Sequence, residues 1–399
     1  MTETEILIIG GGIAGASTAY YLARNGHDVT LLERGTIAGE ASGVNAGSIG
    51  AMGWGNVPDL EAYLTMGSLE IFKSLQLDLG NDIEFRQSGS LQAIHTEAQY
   101  AFTRDRALDL RAHGYRVELL TTREARSLEP ELNPALLGCM HLPLRAQADP
   151  PKATQALASA AEGSGARILT HCEVTAIRQR RDGTYLVETP QGTFGVETLV
   201  IAAGAWCGPI GALLGLRIPI MPVRGQMWAT VPLPPRVFHT ISSAESALRW
   251  HTDPGNDRET PPQLTHRSEE RLTRHLYGRQ TRDGEIIFGG DRQLIGYNKV
   301  PDTAGIAINH GHAAEVLPLL RELPIKRSWA GLMPFSLDGA PLIGKIPQRS
   351  NLYIVSGLAS SGFGRGPMAG KLLADYLHTG HRPPVLAEAD PARCVTLVE

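Results

Sequence analysis

The sequence predicts an α/β fold in which a Rossmann-like domain is interleaved with a second domain built on an antiparallel sheet. A βαβ pattern with a glycine-rich turn opens the chain. The parallel-strand pattern breaks off near residue 50 and resumes near residue 150. The chain has 399 residues, of which 42% are hydrophobic, and one hydrophobic core rarely organises so long a chain.

The opening βαβ unit ends at Glu33. Residues 5–9 (EILII) form a short apolar run that is typical of a buried parallel strand. The segment ASTAYYLARNG has an apolar helix face and ends at Gly26, a residue type that caps helices at their C-terminus. HDVTLLER then forms the second strand, so strand, helix and strand follow one another without interruption.

A glycine pattern, G-x-G-x-x-G, joins the first strand to the helix at Gly10, Gly12 and Gly15. Glycine lets the backbone approach a pyrophosphate, and the helix N-terminus offers N–H groups and a positive dipole end. Glu33 stands near the offset of the acid that binds a ribose. The pattern predicts NAD or FAD, and the interleaved domains favour FAD. The chain lacks a second such motif and a CxxxxC pair, which excludes the two-nucleotide disulfide reductases.

The middle of the chain predicts a change of architecture followed by a return to the first domain. Helices are predicted over 59–79 and 97–113, with a strand (SGSLQAIH) between them. Prolines open a helix over 150–162. The segments ARILTHCEVTAIRQR and TYLVETPQGTFGVETLVIAAG are then predicted as strands.

The last part of the chain combines antiparallel strands with a final strand and helix. Strands are predicted in 216–250 and 275–297, and the polar, proline-bearing segment 251–274 between them is predicted to be a long surface loop. NLYIVSGL predicts a strand, and SSGFGRGPMAGKLLADYLHTG predicts a glycine-rich turn that leads into a helix.

Bulk properties exclude several classes of function. The net charge of -4 and the lack of a basic block argue against nucleic acid or anionic membranes as main partners. Four isolated cysteines argue against zinc, iron–sulfur clusters and a disulfide framework, so a reducing cytoplasm is expected. The acidic N-terminus MTETE does not fit a secretory signal, and no apolar run is long enough to span a membrane.

Blocks spread over nearly the whole chain resemble the D-amino-acid oxidase and glycine oxidase family of FAD-dependent amine oxidoreductases. They are GGGIAG with LLER, ASGVNAGSIG at 41–50, LVIAAGAWC at 199–207, PVRGQ at 222–226, WAGLMPFSLDGAPLIG at 329–344 and SGLASSGFGRGPMAGKLLADY at 356–376. Any single block is a weak signal, but together and in this order they are specific to the family, though not to one substrate.

The resemblance implies FAD as cofactor and the oxidation of a C–N bond in a small amine, amino acid or imino acid. A hydride passes to flavin N5, and the resulting imine hydrolyses. The resemblance also implies that the FAD-binding domain comprises 1–50, 141–215 and 325–399, and that the substrate domain comprises 51–140 and 216–324. Because 41–50 contains no histidine of the kind that tethers flavin in some relatives, FAD is expected to be non-covalent.

Site residues follow from the same blocks. Carried over from the family, the expected cofactor-binding residues are Gly10, Gly12, Ile13, Ala14, Gly15, Glu33, Arg34, Ser42, Asn45, Ala46, Gly47, Ser48, Val174, Ala203, Gly204, Trp206, Gly331, Met333, Ser360, Ser361, Gly362 and Phe363. Val174 is expected in a strand beside the adenine, Ser48 near the substrate face, and the 360–363 turn beside the flavin pyrimidine.

The chain departs from the family at Met333, where many amino-acid-oxidising relatives carry an arginine that binds the substrate carboxylate. A thioether cannot form such a bidentate pair. Either Arg292, Tyr277 or Arg365 meets the carboxylate instead, or the substrate has no carboxylate near its amine and Met333 lines an apolar pocket. Ser48, Tyr277, Arg292 and Met333 are therefore the candidates for the substrate side of the site.

Other readings remain open at the level of sequence. The electron acceptor is oxygen or a redox carrier, and the chain forms a homo-oligomer or works with a dehydrogenase partner. A flavin monooxygenase or reductase, and a non-catalytic flavoprotein subunit, are the alternative functions. His239, His251, His266, His310 and His312 are expected in surface or loop positions, and the His-x-His pair is a weak metal signal.

Overall fold

The computed structural model describes residues 1–50, 59–253 and 259–398. Its helices are α1 Ile13–Arg24, α2 Asp59–Leu77, α3 Glu97–Ala112, α4 Thr122–Leu128, α5 Pro150–Gly163, α6 Cys207–Ala212, α7 Glu245–Thr252, α8 Thr303–Val316 and α9 Gly362–Thr379. Its strands are β1 Thr2–Ile9, β2 Val29–Leu32, β3 Ser48–Ile49, β4 Ser90–Ile94, β5 Glu118–Leu120, β6 Gly138–Leu142, β7 Ala146–Gln147, β8 Arg167–Leu169, β9 Ala176–Gln179, β10 Tyr185–Thr189, β11 Gly192–Ile201, β12 Leu216–Arg217, β13 Ile220–Thr230, β14 Thr240–Ser243, β15 His266–Arg267, β16 Glu270–Arg271, β17 Tyr277–Gln280, β18 Ile286–Gly289, β19 Ile325–Ser336, β20 Leu342–Lys345, β21 Leu352–Ser356 and β22 Thr396–Leu397.

The first sheet has the strand order β20-β21-β11-β1-β2-β8, with β10 and β9 added beside β11. Its central pairs, β1 with β2 and β11, β2 with β8, and β11 with β21, are parallel. In such a sheet ligands bind outside the carboxyl ends of the strands, where the order reverses. The glycine turn at the end of β1 and the segment after β11 meet at this point.

The second sheet has the order β19-β13-β18-β17-β14-β4-β6-β5. All of its pairs are antiparallel except β14 with β4, which run parallel. The long ribbon of β13 and β19 runs in register from Ile220 opposite Ser336 to Ala229 opposite Arg327. This ribbon places Gly225 and Met333, with Tyr277 from β17, on the side that faces the first sheet's ligand edge.

Helices α1 and α9 cross closely because glycine replaces a side chain at their contact. A Cβ built on Gly370 would lie 2.5 Å from the carbonyl oxygen of Ala14, and one on Gly366 would lie 2.6 Å from Ile13 Cγ2. Ser17 Oγ donates to the carbonyl of Pro367 at 2.6 Å across the same contact. The crossing fixes the first turn of α1, which carries the glycine motif.

Several sequence predictions need correction. Residues 245–252 form helix α7, so the predicted strand region 216–250 ends at β14. Strand pairing in 275–297 stops after β18 at Gly289, apart from one isolated bridge at Gln293. Val174 lies between β8 and β9 rather than in a strand.

The segment 251–274 is not simply a surface loop. It contains the β15–β16 hairpin, in which His266 is buried, and the preceding Thr265 is buried as well. Thr265 Oγ1 accepts from the backbone N–H of Arg292 at 2.7 Å. Residues 254–258 of this segment lie outside the described residues, as do residues 51–58 of the predicted substrate domain.

Two of the five histidines expected at the surface are buried. His266 and His312 are 5% and 0% exposed. His266 lies in β15 and His312 in α8, and both side chains point into the protein. The polar sequence around them did not indicate this burial. Within the described residues there is no group of three or more His, Cys, Asp and Glu that could hold a metal ion.

The division of the chain into two domains remains a prediction. Strand β19, which lies inside the range 325–399 assigned to the FAD-binding domain, is hydrogen-bonded into the second sheet instead. Nor does any helix in the described ranges combine the length and apolar character that a membrane crossing requires.

Candidate active site

Residues of both sheets line a cavity of about 540 Å³. Such a volume is in the range of small-molecule and cofactor sites. Of the residues predicted from sequence, eighteen line it: Gly10, Gly12, Ile13, Ala14, Glu33, Arg34, Ser42, Asn45, Val174, Ala203, Gly204, Trp206, Tyr277, Gly331, Met333, Ser360, Gly362 and Phe363. We call the end lined by Glu33 and Trp206 the Glu33 end, and the end lined by Tyr277 and Met333 the Tyr277 end.

Backbone donors and a carboxylate meet at the Glu33 end. The N–H groups of Gly12 and Ala14, at the start of α1, have no acceptor among the described residues and border the cavity. Glu33 accepts from the N–H of Gly11 at 2.8 Å and of Gly35 at 2.7 Å. Each carboxylate oxygen keeps a lone pair for a further donor. The helix start can therefore bind an anion while Glu33 binds a neighbouring hydroxyl.

The glycines of the motif have different structural duties. Gly10 has a φ of 120°, and a Cβ there would lie 2.4 Å from the carbonyl oxygen of Ala202. A Cβ on Gly15 would lie 2.1 Å from the Gly10 carbonyl. Gly15 does not line the cavity, so its duty in the structure is close packing of α1 on β1.

Residues 290–302, which we call the strap, lie outside the cavity lining and pack against the segment that carries Ala205 and Trp206 at the Glu33 end. Tyr297 donates to the carbonyl of Ala205 at 3.2 Å, and its ring lies 5.6 Å from the Trp206 ring. Lys299 pairs with Glu40 at 3.1 Å. The Arg34 guanidinium lies 3.9 Å from the same Trp206 ring, so aromatic and charged contacts from both sheets hold this wall together.

The segment 44–48 (VNAGS) passes between the two ends and is fixed by hydrogen bonds. Asn45 donates to the carbonyls of Ala41 and Ser42 and accepts from the Gly47 N–H at 2.8 Å. Trp329 Nε1 donates to the carbonyl of Val44 at 2.8 Å. The second sheet thus sits directly on this segment.

The Tyr277 end is uncharged along the wall that the structure describes. Gly225, Met227, Tyr277, Met333 and Pro334 line it. Burial raises the pKa of Tyr277 to about 12, so its hydroxyl stays protonated and can donate a hydrogen bond at neutral pH.

Arg292 lies behind this wall and not on it. The side chain is buried, its guanidinium stacks 4.1 Å from the Trp250 ring, and its Nη2 lies 3.4 Å from His275 Nε2. Gln263 accepts from Nη1 at 3.2 Å, whereas Nε has no partner in the described part of the chain. Burial lowers the pKa of Arg292 to about 9.

Arg292 has no carboxylate at ion-pair distance among the described residues. Its charge interacts with Tyr277, whose ring lies beside His275 at 5.7 Å. A buried guanidinium without an anion is unfavourable, and a bound anion nearby would relieve that cost.

Arg365, the third candidate suggested for the carboxylate, points away from the cavity. Its Nη1 donates to Glu61 Oε1 at 2.8 Å and its Nε to Thr65 Oγ1 at 3.3 Å, so it faces α2. Five further predicted site residues do not line the cavity: Gly15, Ala46, Gly47, Ser48 and Ser361. Ser48 instead pairs with Gln147 in a short two-stranded sheet.

The start of α9 reaches the cavity through Ser360, Gly362 and Phe363. Just before it, Ala359 adopts a φ of 50°, a left-handed conformation that costs energy for a residue other than glycine. The positive end of the helix dipole therefore points to the same cavity as the start of α1.

Sequence reasoning missed some of the wall. Met227 lines the Tyr277 end, while Glu173 and Thr175 line the Glu33 end. Arg279, which does not line the cavity, was also missed, although it stands two residues after Tyr277 on β17 and therefore on the same face of the strand. That alternation was visible in the sequence YGRQ, but nothing in it revealed what Arg279 contacts.

The arrangement fits FAD. An unpaired helix start, a hydroxyl-binding carboxylate and a glycine-lined approach at one end suit an adenosine diphosphate. An uncharged chamber with Tyr277 at the other end suits a flavin ring and a small substrate.

Comparison with known proteins decides the family. The family described as "FAD dependent oxidoreductase" (DAO) matches residues 5–376. The chain belongs to the DAO family of FAD-dependent oxidoreductases. It is 30% identical over 386 residues to glycine oxidase of Geobacillus kaustophilus, covering 94% of this chain and 92% of the relative.

One further relative and one solved structure agree with this assignment. The sarcosine oxidase subunit beta of Rhizobium meliloti is 29% identical and covers 94% of this chain and 85% of that protein. The crystal structure of glycine oxidase from Geobacillus kaustophilus superposes with a TM-score of 0.85 at 26% identity, covering 99% of this chain and 100% of the other.

The comparisons confirm the predicted fold class, the cofactor FAD and the enzyme class. This DAO-family protein is an FAD-dependent oxidoreductase that oxidises C–N bonds. A non-catalytic subunit and a flavin monooxygenase or reductase are not favoured.

Proposed function

We propose that this enzyme oxidises a small amino acid, imino acid or N-methylated amino acid whose carboxylate is placed against Tyr277, with the charge of Arg292 behind it. The observation that carries the proposal is the buried Arg292 guanidinium, which has no ion-pair partner in the described residues and lies behind the Tyr277 wall. Names of relatives support the substrate class: they are glycine oxidase and sarcosine oxidase subunit beta.

Electrostatics support a carboxylate without direct contact to arginine. Two unit charges about 7 Å apart attract by about 2 kcal/mol at an effective dielectric constant of about 20. This energy corresponds to roughly a thirtyfold change in affinity. Tyr277 donates a hydrogen bond to the substrate carboxylate, and the positive charge of Arg292 attracts it from behind the wall. An arginine at position 333, which many relatives carry, is therefore not needed.

When bound, FAD would supply the acceptor for the hydride on the carbon that bears the amine. The chain's part is to orient that carbon and to keep the amine neutral. At the Tyr277 end no described wall residue is a histidine or a carboxylate, so no base competes for the carbon-bound proton. The imine product then hydrolyses after it leaves the site.

Cofactor binding is assigned within the same proposal. Gly12 and Ala14 bind the pyrophosphate, and Glu33 binds the adenosine ribose. Ser42 accepts from the Ile13 N–H at 3.0 Å, which leaves its hydroxyl hydrogen free for a phosphate. No residue is assigned a covalent bond to the flavin; acid precipitation that leaves flavin on the protein would contradict this.

The test compares three variants by anaerobic flavin bleaching with glycine, sarcosine, proline and carboxylate-free N-methyl amines. Arg292→Met should raise KM for the carboxylate substrates about tenfold or more, with a smaller change in kcat. Arg106→Met is the matched control, since Arg106 is also buried but pairs with Asp109 on α3, away from the cavity. It should leave KM unchanged.

Met333→Arg completes the set. It returns the cation found in many relatives and should restore carboxylate affinity to Arg292→Met. The second candidate, an amine without a carboxylate, is favoured by the two methionines, Met227 and Met333, in the wall. Bleaching by the carboxylate-free amines alone, unaffected by Arg292→Met, would establish it and refute the carboxylate proposal.

Acceptor, partners and location are also proposals. The name sarcosine oxidase subunit beta among the relatives supports a heteromeric partner, and a homo-oligomer is the other possibility. The relatives named glycine oxidase support oxygen as the acceptor, and a redox carrier is the alternative. Four cysteines without disulfides support a cytoplasmic location. Rapid reoxidation of the bleached enzyme by air would identify an oxidase.

A further inference from the structure

The side chain of Arg279 links the second sheet to the segment 44–48, and nothing assigned so far uses it. Arg279 is 1% exposed and follows Tyr277 on the same face of β17. Its Nε donates to the carbonyl of Ala46, and its Nη2 donates to the carbonyl of Ala148 at 3.2 Å. Both contacts are to backbone atoms, so they fix the path of the chain.

The segment that Arg279 contacts is tightly packed. Gly47 has a φ of 77°, and a Cβ there would lie 2.0 Å from the carbonyl of Ala148 and 3.3 Å from Arg279 Nη2. The Ala148 N–H donates to the Gly47 carbonyl at 3.0 Å. Asn45, next in the segment, lines the cavity. The guanidinium therefore fixes the backbone that separates it from the cavity.

Arg279 also carries a charge that no direct ion pair compensates among the described residues, although Asp149 and Glu84 act on it from a longer distance. Its Nη1 is buried and has no hydrogen-bond partner in the ranges that the structure describes, and no carboxylate there forms an ion pair with it. Burial lowers its pKa to about 10, so it is protonated at neutral pH. A desolvated cation acts strongly on charges that develop nearby.

We propose that Arg279 is a positioning residue that fixes segment 44–48 for the flavin and whose charge stabilises the negative charge that the flavin gains on reduction. This inference rests on the proposed FAD site. The residue acts through the Ala46 and Gly47 backbone and touches neither substrate nor cavity wall. Its two effects are separable, because lysine keeps the charge but cannot donate to two carbonyls in the same geometry.

Two measurements test the two effects. Sulfite forms an anionic adduct with oxidised flavin, so its dissociation constant in the holoprotein reports the charge effect. Hydrogen exchange at the amides of 44–48 in FAD-free protein reports the positioning effect without the cofactor. Arg279→Met should raise the sulfite dissociation constant at least tenfold and speed exchange in this segment at least tenfold, since both charge and contacts are lost.

Arg279→Lys should keep the sulfite dissociation constant within about threefold of wild type, yet show the faster exchange. Arg106→Met, the control for loss of a buried arginine, should match wild type in both. If Arg279→Met does not fold, Arg279→Gln takes its place, with the same loss of sulfite affinity expected. The inference would be overturned if Arg279→Met, or Arg279→Gln in its place, had the sulfite dissociation constant and the hydrogen-exchange rates of the wild type.

Failure of this inference can be told apart from failure of the proposed function. A wild-type protein that binds no FAD contradicts the proposed function. A wild-type holoprotein that amines bleach, beside an Arg279→Met holoprotein with unaltered sulfite affinity and exchange, contradicts only the role of Arg279.

Discussion

At the scale of single residues, two buried arginines flank a neutral chamber, and their surroundings give them different duties. Arg279 contacts backbone carbonyls and fixes a segment of chain. Arg292 contacts an aromatic ring and neutral polar groups, so its charge is left for a ligand. Neither duty could be read from the sequence, because the partners lie far away along the chain.

The pKa of Arg292 gives a prediction for ligand binding. Because burial lowers this pKa to about 9, the guanidinium loses its charge above that pH, while Tyr277, with a pKa of about 12, stays protonated. An inhibitor with a carboxylate and no amine should therefore bind equally well from pH 7 to 8.5. Above about pH 9 its affinity should fall by up to tenfold per pH unit.

The measurement is a titration of flavin absorbance with acetate or a similar acid across this pH range. The amine-free ligand matters, because an amino acid would itself titrate there. Arg292→Met should bind the acid weakly with no dependence on pH between 7 and 10. A wild-type profile that is flat across pH 9 would exclude Arg292 as the charge that binds the carboxylate.

His312 gives a prediction about acid stability. It is fully buried, and its pKa falls to about 4, chiefly through desolvation and the nearby Arg274, with Glu245, Glu315 and His95 also close. Because the unfolded side chain titrates near 6.5, the unfolded state binds more protons between these values, and stability is lost as the pH falls. The loss from this group should be about 2 kcal/mol between pH 7 and pH 5.

Denaturant unfolding at both pH values measures this loss. In His312→Leu the group is absent, so the difference between pH 7 and pH 5 should shrink by about 2 kcal/mol. His113 is exposed on the end of α3, so His113→Leu is the matched control and should leave the difference unchanged. An equal pH dependence in His312→Leu and wild type would show that His312 is not the group that titrates.

At the scale of elements, the α1–α9 crossing links stability to cofactor binding. In Gly370→Ala the new methyl group would meet the Ala14 carbonyl at 2.5 Å and the Thr18 nitrogen at 2.8 Å, both backbone atoms that cannot rotate away. We expect a loss of about 1–3 kcal/mol in the free energy of unfolding. FAD should also dissociate more readily, because α1 shifts. Thermal unfolding and FAD titration of the apoprotein measure both effects.

Gly311→Ala is the control for replacing a helix glycine. A Cβ on Gly311, inside α8, would have no neighbour within 4 Å. This variant should gain about 0.5–1 kcal/mol, since alanine favours helix, with no change in FAD binding. Equal stability of Gly370→Ala and wild type would mean that the two helices do not need the glycine contact.

We expect the contacts of the strap 290–302 to slow the release of FAD. Tyr297 joins the strap to Trp206 and Ala205 at the Glu33 end. Tyr297→Ala should increase the rate of FAD release several-fold, with little change in substrate KM. The exposed Val300 lies in the same strap, so Val300→Ala is the control. The rate of FAD release is measured after dilution of the holoprotein into an excess of an apoprotein that captures free FAD. A wild-type release rate in Tyr297→Ala would contradict this role of Tyr297.

At the scale of the whole molecule, much of the fold was predictable because its signals are local. The βαβ unit, the glycine motif and helices α2, α3, α5 and α9 follow from periodicity and turn residues within short windows. Helix α7 and the β15–β16 hairpin, in which His266 is buried, were not predicted, because long-range packing overrides their polar composition.

The two ends of the site differ in the same way in how far the sequence predicts them. Its Glu33 end is built mainly from contiguous motifs, so the glycine motif and Glu33 could be expected there from sequence. Other lining residues, such as Glu173 and Thr175, were not predicted, because they lie outside those motifs. Its Tyr277 end depends on which strand faces which, as with the β13–β19 ribbon and the face shared by Tyr277 and Arg279. Sequence placed Arg292 among the candidates, yet only the fold shows that it lies behind the wall.

We propose that this protein binds FAD in the cavity between its two sheets and uses it to oxidise a C–N bond beside a carboxylate. Anaerobic titration of the purified, FAD-loaded protein with a panel of amines and amino acids tests it most directly, followed by the flavin absorbance. We expect a small amino, imino or N-methylated amino acid to bleach the flavin, and acid then to release all of the flavin from the protein. A protein that cannot be loaded with FAD, or a flavin that no amine bleaches, would contradict it.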